Sequence, residues 1–395
     1  MRILLHDFAA YAFSLELARE MARRGNTVCY VYFPSATQAM SNAEARPSDP
    51  VALHICPLGA DLPYSRFSLG KRLFQEIAFG RLLSSFIKKW QPDVVISANA
   101  PLEVQRRAAT AAKACHARFI FWLQDLLGAG ARDVLSRRLG PLGALVASRF
   151  ERMEVAIARM SNKVVCISED FLPVLERWGV PRECTSVIQN WAPKDDIIPR
   201  PKDNPWSRKN GLHEKKVLLY AGRLGFKQNP RVLLDLAEAN REQSDTSIVV
   251  ISSGVGADWL SEKKIERGLQ SLQIMPFQPY KCLPNMLATA DILLCTIEVT
   301  ASRYCVPSKI LSYLAAGRAI LASMPSNNLN ARLIERIGAG VVVDPFDPDG
   351  FVQAGSLLLG NDTERIACAE RARAYAEMAF DIENIVDAFL EAIVG

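Results

Sequence analysis

Histidine is scarce here, with four in 395 residues, and no two have the spacing of metal ligands, so nothing in the sequence indicates a catalytic metal. The nine cysteines stand singly at 29, 56, 115, 166, 184, 282, 295, 305 and 368, with no Cys-x-x-Cys pair. That pattern excludes a zinc ribbon or a disulfide framework and leads us to expect a reducing, cytoplasmic compartment. Cys29, Cys166 and Cys295 fall inside apolar runs, where a thiol behaves as a small hydrophobe. No apolar run approaches the roughly 18 residues of a membrane span. The opening "MRILLHDFAAYAF" is too short for a signal peptide and is interrupted by Asp7. There is no Gly-x-Ser-x-Gly elbow, no Walker loop, and no zinc-finger, helix-turn-helix or RNA-platform pattern. The Gly-x-Gly of "SSGVG" (252–256) lacks the third glycine of a nicotinamide fingerprint, for position 259 is Trp.

What remains is an ordinary globular composition, 49% hydrophobic and 23% charged, long enough for two domains. The net charge of +5 is unevenly spread. Residues 1–200 carry 26 Lys/Arg against 19 Asp/Glu, and residues 201–395 carry 21 against 23. The first half is therefore expected to meet something anionic, a membrane surface or a phosphorylated acceptor, and the bias is too mild for nucleic acid.

Short apolar runs alternate with helical patterns throughout, which predicts parallel α/β architecture. First-half strands are expected at 1–6, 27–33, 93–98, 118–125 and 163–168, and second-half strands at 216–222, 247–254, 291–297, 319–323 and 340–344. Helices lie between them, such as "SLELAREMARRG" (14–25), closed by Gly25. Residues 191–212, rich in Pro, Asp, Lys and Asn and without a period, read as a linker between domains at 1–190 and 213–377. Two such sheets bind ligands at the carboxyl ends of their strands, so an interdomain cleft is the expected site.

Polar residues gather at strand ends of the second half. "YAGRLGFKQNP" (220–230) presents Gly222, Arg223 and Lys227 before a helix that begins at Pro230. "SSGVG" presents Gly254. "VPSKILSYLAAGRAILAS" (306–323) sets Pro307, Ser308 and Lys309 at the mouth of an apolar helix closed by Gly317. A helix N-terminus with a lysine beside it is a ready anion site. Taken alone, Ser308 reads better as a helix cap and Lys309 as a solvated helix-start residue, and Arg223 serves equally as a surface ion-pair partner; their joint occurrence at strand ends of one sheet shifts the balance. In the first half, His6 and Asp7 follow the first strand and Asp125 follows "FIFWLQ", positions suited to a site or simply to turn capping. His54, His116 and His213 are given no role. Residues 64–90 and 137–160 read as basic amphipathic helices, fit for an anionic membrane face or for packing on a sheet.

The quoted second-half stretches, with "MPFQPYKCLPNMLATADILLCTI" (275–297) and "GAGVVVDPFDPDGF" (338–351), resemble the nucleotide-sugar-binding half of glycosyltransferase family 4. The closest likeness is to its bacterial surface-polysaccharide, colanic-acid-like branch. "HDFAAYAFSLELAREMARRGNTV", "ERMEVAIARMSNKVVCISEDFLPVL" and "VIQNW" are similar more loosely. The resemblance implies the GT-B fold: two facing Rossmann-like domains with parallel sheets and a cleft, the last helix (about 378–395) crossing back to the first domain. It implies a retaining hexosyltransferase-type enzyme, with a UDP- or GDP-linked sugar as co-substrate and neither cofactor nor metal. Its acceptor would be a saccharide, lipid-linked, at the inner face of the cytoplasmic membrane. Carried over, Arg223, Lys227, Ser308 and Lys309 would bind the donor diphosphate. Gly222, Gly254, Tyr304, Pro307 and Ser312 would lie near the donor sugar and nucleotide, and Asp125 and His6 would be catalytic. Two departures stand out. Tyr304 and Ser312 occupy the places of the relatives' Glu-x7-Glu, and Ala9-Ala10 replaces Gly-Gly after the first strand. A GT-B scaffold without turnover is the alternative. A sugar-nucleotide epimerase lacks its expected acid–base residues, and a nicotinamide oxidoreductase lacks the glycine fingerprint.

Overall fold

The computed structural model describes residues 1–37, 43–65, 68–298 and 307–395, with the main chain alone at 69 and 129–139. The chain forms two compact units, Met1–Asn190 with Ile382–Gly395, and Trp191–Asp381.

The first unit is built on seven parallel strands: β1 (Arg2–Asp7), β2 (Thr27–Tyr32), β3 (Leu53–Pro57), β4 (Val94–Ala98), β5 (Arg118–Leu123), β6 (Lys163–Cys166) and β7 (Thr185–Val187). Their order is β3-β2-β1-β4-β5-β6-β7. β1, the first in the chain, lies inside the sheet, with Leu5 beside Tyr30 of β2 and Ile96 of β4. The chain winds one way to β3, then returns and winds the other way, so the strand order reverses between β1 and β4. Inner strands covered on both faces read as unbroken apolar runs, which is how they were legible. The expected strand set omits β3 and β7. β3 is a half-exposed edge strand and β7 has three residues, so neither shows such a run.

Two features of this unit join distant chain. The last helix, Ile382–Val394, is held by Arg24, which pairs with Glu383 and Asp387, and by Phe389 packed edge-on against Trp122 at 4.7 Å. The helix Leu127–Met160 is broken at Gly140 (φ 54°), ahead of Pro141, and folds back on itself. The singly spaced cysteines are not all apart in space, for Cys29 and Cys56, on neighbouring strands, bring their sulfurs to 3.3 Å.

The second unit repeats the plan with six parallel strands: β8 (Lys216–Ala221), β9 (Thr246–Ile251), β10 (Leu272–Met275), β11 (Ile292–Thr296), β12 (Ala319–Ser323) and β13 (Gly340–Val343). Their order is β10-β9-β8-β11-β12-β13, with the reversal between β8 and β11. β10, one of the two edge strands, is the one the apolar runs missed, for its four residues (272–275) are interrupted by Gln273. Residues 191–212 are not free chain. Trp191 and Trp206 are buried, and Asn204 caps the helix Pro205–Lys209 by accepting from the amides of Trp206 (2.9 Å) and Ser207 (3.1 Å). This stretch belongs to the second unit, because two buried indoles anchor a segment that composition marked as polar.

At the reversal the ladder is short, pairing only Leu218 and Leu219 with Ile292 and Leu293. Beyond it the Tyr313 hydroxyl bridges the strands. It accepts from the Ala221 amide (3.0 Å) and donates toward the Leu294 carbonyl (3.1 Å), with that of Ala221 at 3.2 Å. Tyr313→Phe strands these buried main-chain groups and should cost the second unit about 1–3 kcal/mol. The loss should appear as a lower denaturant midpoint at unchanged slope; an unmoved midpoint would show that the strands hold without the bridge.

Candidate active site

In the second unit the expected residues converge at the β8–β11 reversal. β8 is followed by Gly222 (φ 132°), whose backbone only glycine adopts readily. The space a Cβ would take there is filled by Lys309, with Cε at 3.0 Å and Nζ at 3.1 Å from it. Lys309 opens the helix Lys309–Ala316, and its ammonium lies over the Tyr220 ring, 3.4 Å from the centroid. Tyr220 is fully buried and donates its hydroxyl to the Arg223 carbonyl (2.8 Å), fixing the turn that follows the strand. The Lys309 ammonium is buried and has no hydrogen-bond partner among the described residues. Burial lowers its pKa to about 8.

Around it, Arg223 and Lys227 are exposed, and neither side chain is ion-paired among the described residues. The Lys227 carbonyl accepts from the Glu298 amide (2.9 Å) and that of Gln228 from the Thr296 hydroxyl, which ties this turn to the end of β11. Ser308 stands in the capping position, yet its exposed hydroxyl makes no capping bond. The Pro307 carbonyl accepts from the Asn330 side chain (3.0 Å), and Ser312 is half-buried on the helix. Gly254 (φ 116°) precedes the helix Val255–Arg267, and its missing Cβ leaves room for the Leu224 carbonyl. "SSGVG" thus packs a helix start against the Gly222 turn. Tyr304 lies outside the described residues.

In the first unit a recess of about 200 Å³ opens at the carboxyl ends of β1, β4 and β5, at that sheet's own reversal. Asp125 lines it and is wetted by it, while burial among the walls raises its pKa to about 7. Glu154, 1% exposed, lines it too, and burial also raises its pKa to about 7. Arg72 reaches the wall with its Nε held by buried Glu76 (2.6 Å). Two amides are incompletely used: Gln105 Oε1 and Gln124 Nε2 are buried without partners. His6 does not join this group. It is fully buried, stacked on Phe79 with Nδ1 3.1 Å from the Ser97 hydroxyl, and burial drives its pKa down to about 3. The acid beside it, Asp7, is equally buried; burial raises its pKa to about 6 against the hydrogen bonds from Ser14, Ala9, Tyr11 and Asn99. The Ala9-Ala10 turn closes with Ala10 at φ 57°, a conformation glycine adopts more cheaply.

Known proteins share this pattern. Residues 12–195 match the Glycosyltransferase Family 4 domain, and residues 202–375 match Glycosyl transferases group 1. The chain belongs to the family 4 glycosyltransferases. It is 26% identical to the colanic acid biosynthesis glycosyl transferase WcaI of Escherichia coli over 320 residues, 78% of this chain and 75% of that one. Its fold is that of the GT-B enzymes. The crystal structure of Anabaena HepE in complex with UDP-glucose superposes with a TM-score of 0.72 at 16% identity, covering 100% and 99% of the two chains. WaaG, a glycosyltransferase involved in lipopolysaccharide biosynthesis, gives 0.69 at 16% identity over the whole of both chains.

Several of the glycosyltransferase's recess and turn residues were not read from the sequence. Tyr220 hides in an apolar strand run, Gln105 in an alanine-rich helix, and Glu154 in the half of a long helical pattern that folds back. The one available signal for Glu154 was the "GPLG" at 140–143, midway between it and the start of the helix.

Lys309 loses its proton near pH 8 in the folded chain and near 10.5 in the unfolded one. Between those values the unfolded chain binds more protons, so stability rises with pH there. Lys309→Met should therefore raise the stability of the unliganded glycosyltransferase at pH 7 by about 1–3 kcal/mol, with the gain vanishing by about pH 11. Equal melting of the two proteins at pH 7 would mean that water already solvates this ammonium.

Proposed function

We propose that this glycosyltransferase moves a sugar from a UDP- or GDP-linked donor to a saccharide acceptor, lipid-linked, in surface-polysaccharide synthesis, with retention at the transferred carbon. The observation that carries it is the Lys309 ammonium, buried and without a hydrogen-bond partner among the described residues, at a helix N-terminus beside unpaired Arg223 and Lys227. A diphosphate supplies the oxygens this ammonium lacks. Transfer breaks the bond from the sugar's C1 to the diphosphate oxygen and joins C1 to the acceptor oxygen, which gives up its proton. Negative charge then grows on the leaving diphosphate, where Lys309, Arg223, Lys227, the Ser308 hydroxyl and the helix end would stabilise it, the task a divalent cation performs on other folds. HepE's UDP-glucose complex supports a nucleoside-diphosphate donor, and the names of WcaI and WaaG support a polysaccharide product.

The first-unit recess would take the acceptor. Sugar hydroxyls could satisfy Gln105 and Gln124, and Asp125, with its pKa near 7, can hold or accept a proton near neutrality. The lipid part is supported by the helix Leu69–Trp90, whose exposed Leu73, Phe74 and Leu82 stand among exposed Lys71, Arg81, Lys88 and Lys89. No helix among the described residues is long and apolar enough to cross a membrane, so such a surface would be met from one side.

Melting with millimolar UDP, GDP or UDP-glucose should rise for one nucleoside diphosphate by what about 2.7 kcal/mol produces at 100 times its dissociation constant. The rise should disappear in Lys309→Met and survive EDTA. Asp125→Asn should keep it while losing UDP-sugar hydrolysis. A rise without turnover of any donor would favour the scaffold; no rise at all would remove the donor assignment. The protein should also sediment with phosphatidylglycerol vesicles at low salt and be released at 0.5 M salt, roughly where screening falls within a few ångströms. Phe74→Asp should weaken that binding, and indifference to both salt and substitution would exclude this helix as the contact.

A further inference from the structure

Tyr220 touches both cationic arms of the β8–β11 reversal, and the proposed reaction gives it no part. Lys309 Nζ stands 3.4 Å from the centroid of its ring and 3.1 Å from the place a Gly222 Cβ would take. Gly222 thus makes room for the lysine, and the ring is what the ammonium meets there. No hydrogen-bond acceptor among the described residues replaces the water this ammonium has given up. The face of an aromatic ring attracts a cation, most strongly where both are out of water. The ring is itself anchored, being part of the apolar core of this unit with Leu218, Val250 and Leu294. Its far end is used as well. The hydroxyl donates to the Arg223 carbonyl (2.8 Å), and the next amide, that of Leu224, donates to the Ser253 carbonyl (3.3 Å) beyond β9.

We infer that Tyr220 is a positioning residue for the anion site: its ring keeps the Lys309 ammonium charged and in place while the site is empty, and its hydroxyl holds the main chain from which Arg223 projects. Burial disfavours the charged form of Lys309, and the ring opposes that loss. Phenylalanine would serve the first task and not the second. The phenol stays neutral, since burial holds its pKa well above the ordinary value. Among the described residues, the other titratable groups about the ammonium are few. Cys295 of β11 would favour its charge, and Tyr313, further along its own helix, is kept neutral by burial. Arg223 and Lys227, on the turn after β8, are exposed to solvent. What this does for the donor rests on the reading above; the geometry of ring, ammonium and turn does not.

The test is a pH titration of the full chain carrying lysine labelled with ¹³C at Cε, with the Lys309 signal identified by its loss in Lys309→Met. In the parent the Lys309 Cε protons should lie well upfield of those of the other lysines, shifted by the ring. Ordinary shifts would overturn the inference without any change at 220. Phenylalanine and its form with three ring fluorines are close in shape, but the fluorines draw electrons off the ring face and leave every other group in place. From Tyr220→Phe to the fluorinated form the Lys309 midpoint should fall by about one pH unit, a tenfold loss of proton affinity. A fall under about 0.2 unit would overturn the role of the ring, since a merely structural ring changes melting and leaves the titration alone. Tyr220→Phe by itself should leave the midpoint nearly where it was and speed hydrogen exchange at the Leu224 amide about tenfold, as the turn loosens. Unchanged exchange there would overturn the role of the hydroxyl. Melting of the parent with UDP, GDP and UDP-glucose is read separately. If none of them moves it while fluorination lowers the midpoint, the positioning stands and the donor assignment falls.

Discussion

A single buried ammonium organises the second unit. Lys309 is held over the Tyr220 ring in a gap that exists because Gly222 has no side chain, and burial pulls its pKa down to about 8. A charge in that position is costly without an anion beside it. The surroundings are consistent with a place kept for one. The Tyr220 hydroxyl fixes the Arg223 turn, Tyr313 bridges the strands where their ladder ends, and the Thr296 hydroxyl holds the Lys227 turn against β11. Each is a buried polar group spent on shaping main chain around one cation, and each would be idle if the helix mouth were an ordinary surface.

The first unit answers with the opposite charge. Its recess sits at the equivalent reversal of strand order, but what converges there is a carboxyl pair, Asp125 and Glu154, with half-used amides and a single neutralised arginine. Burial without cations raises both carboxyl pKa values toward neutrality. Such groups handle protons at physiological pH, whereas the second unit's cations suit a phosphate. One architecture, used twice in a glycosyltransferase, therefore presents an acidic recess in one unit and a cationic turn in the other, decided by which residues follow the same strand ends.

Burial also separates the two residues named from the sequence as acid–base candidates. Asp125 and His6 both end apolar strands, but Asp125 follows a β5 that opens onto the recess. His6 is still within β1, where Phe79 and Ser97 enclose it as a neutral ring. His6 lies one residue before the end of β1 and Asp125 two residues past the end of β5, so the sheet encloses the first and the recess receives the second.

The sequence by itself determined the two α/β units, the inner strands of both sheets and the strand-end turns bearing Arg223, Lys227, Ser308 and Lys309. Burial of a regular element imposes a local period, and a local period is written in neighbouring residues. Of the four edge strands, β3, β7 and β10 escaped because their short or polar-interrupted sequences show no apolar run, whereas β13, equally half-buried, carries Val341–Val343 and was legible. Only the tertiary structure decided that Lys309 meets Tyr220 and Gly222 almost ninety residues earlier, that Glu154 returns to the start of its own helix, and that Cys29 lies against Cys56. Those meetings depend on the order of strands in a sheet and on where one helix breaks. Strand order is settled by how whole elements pack, and no stretch of residues contains it.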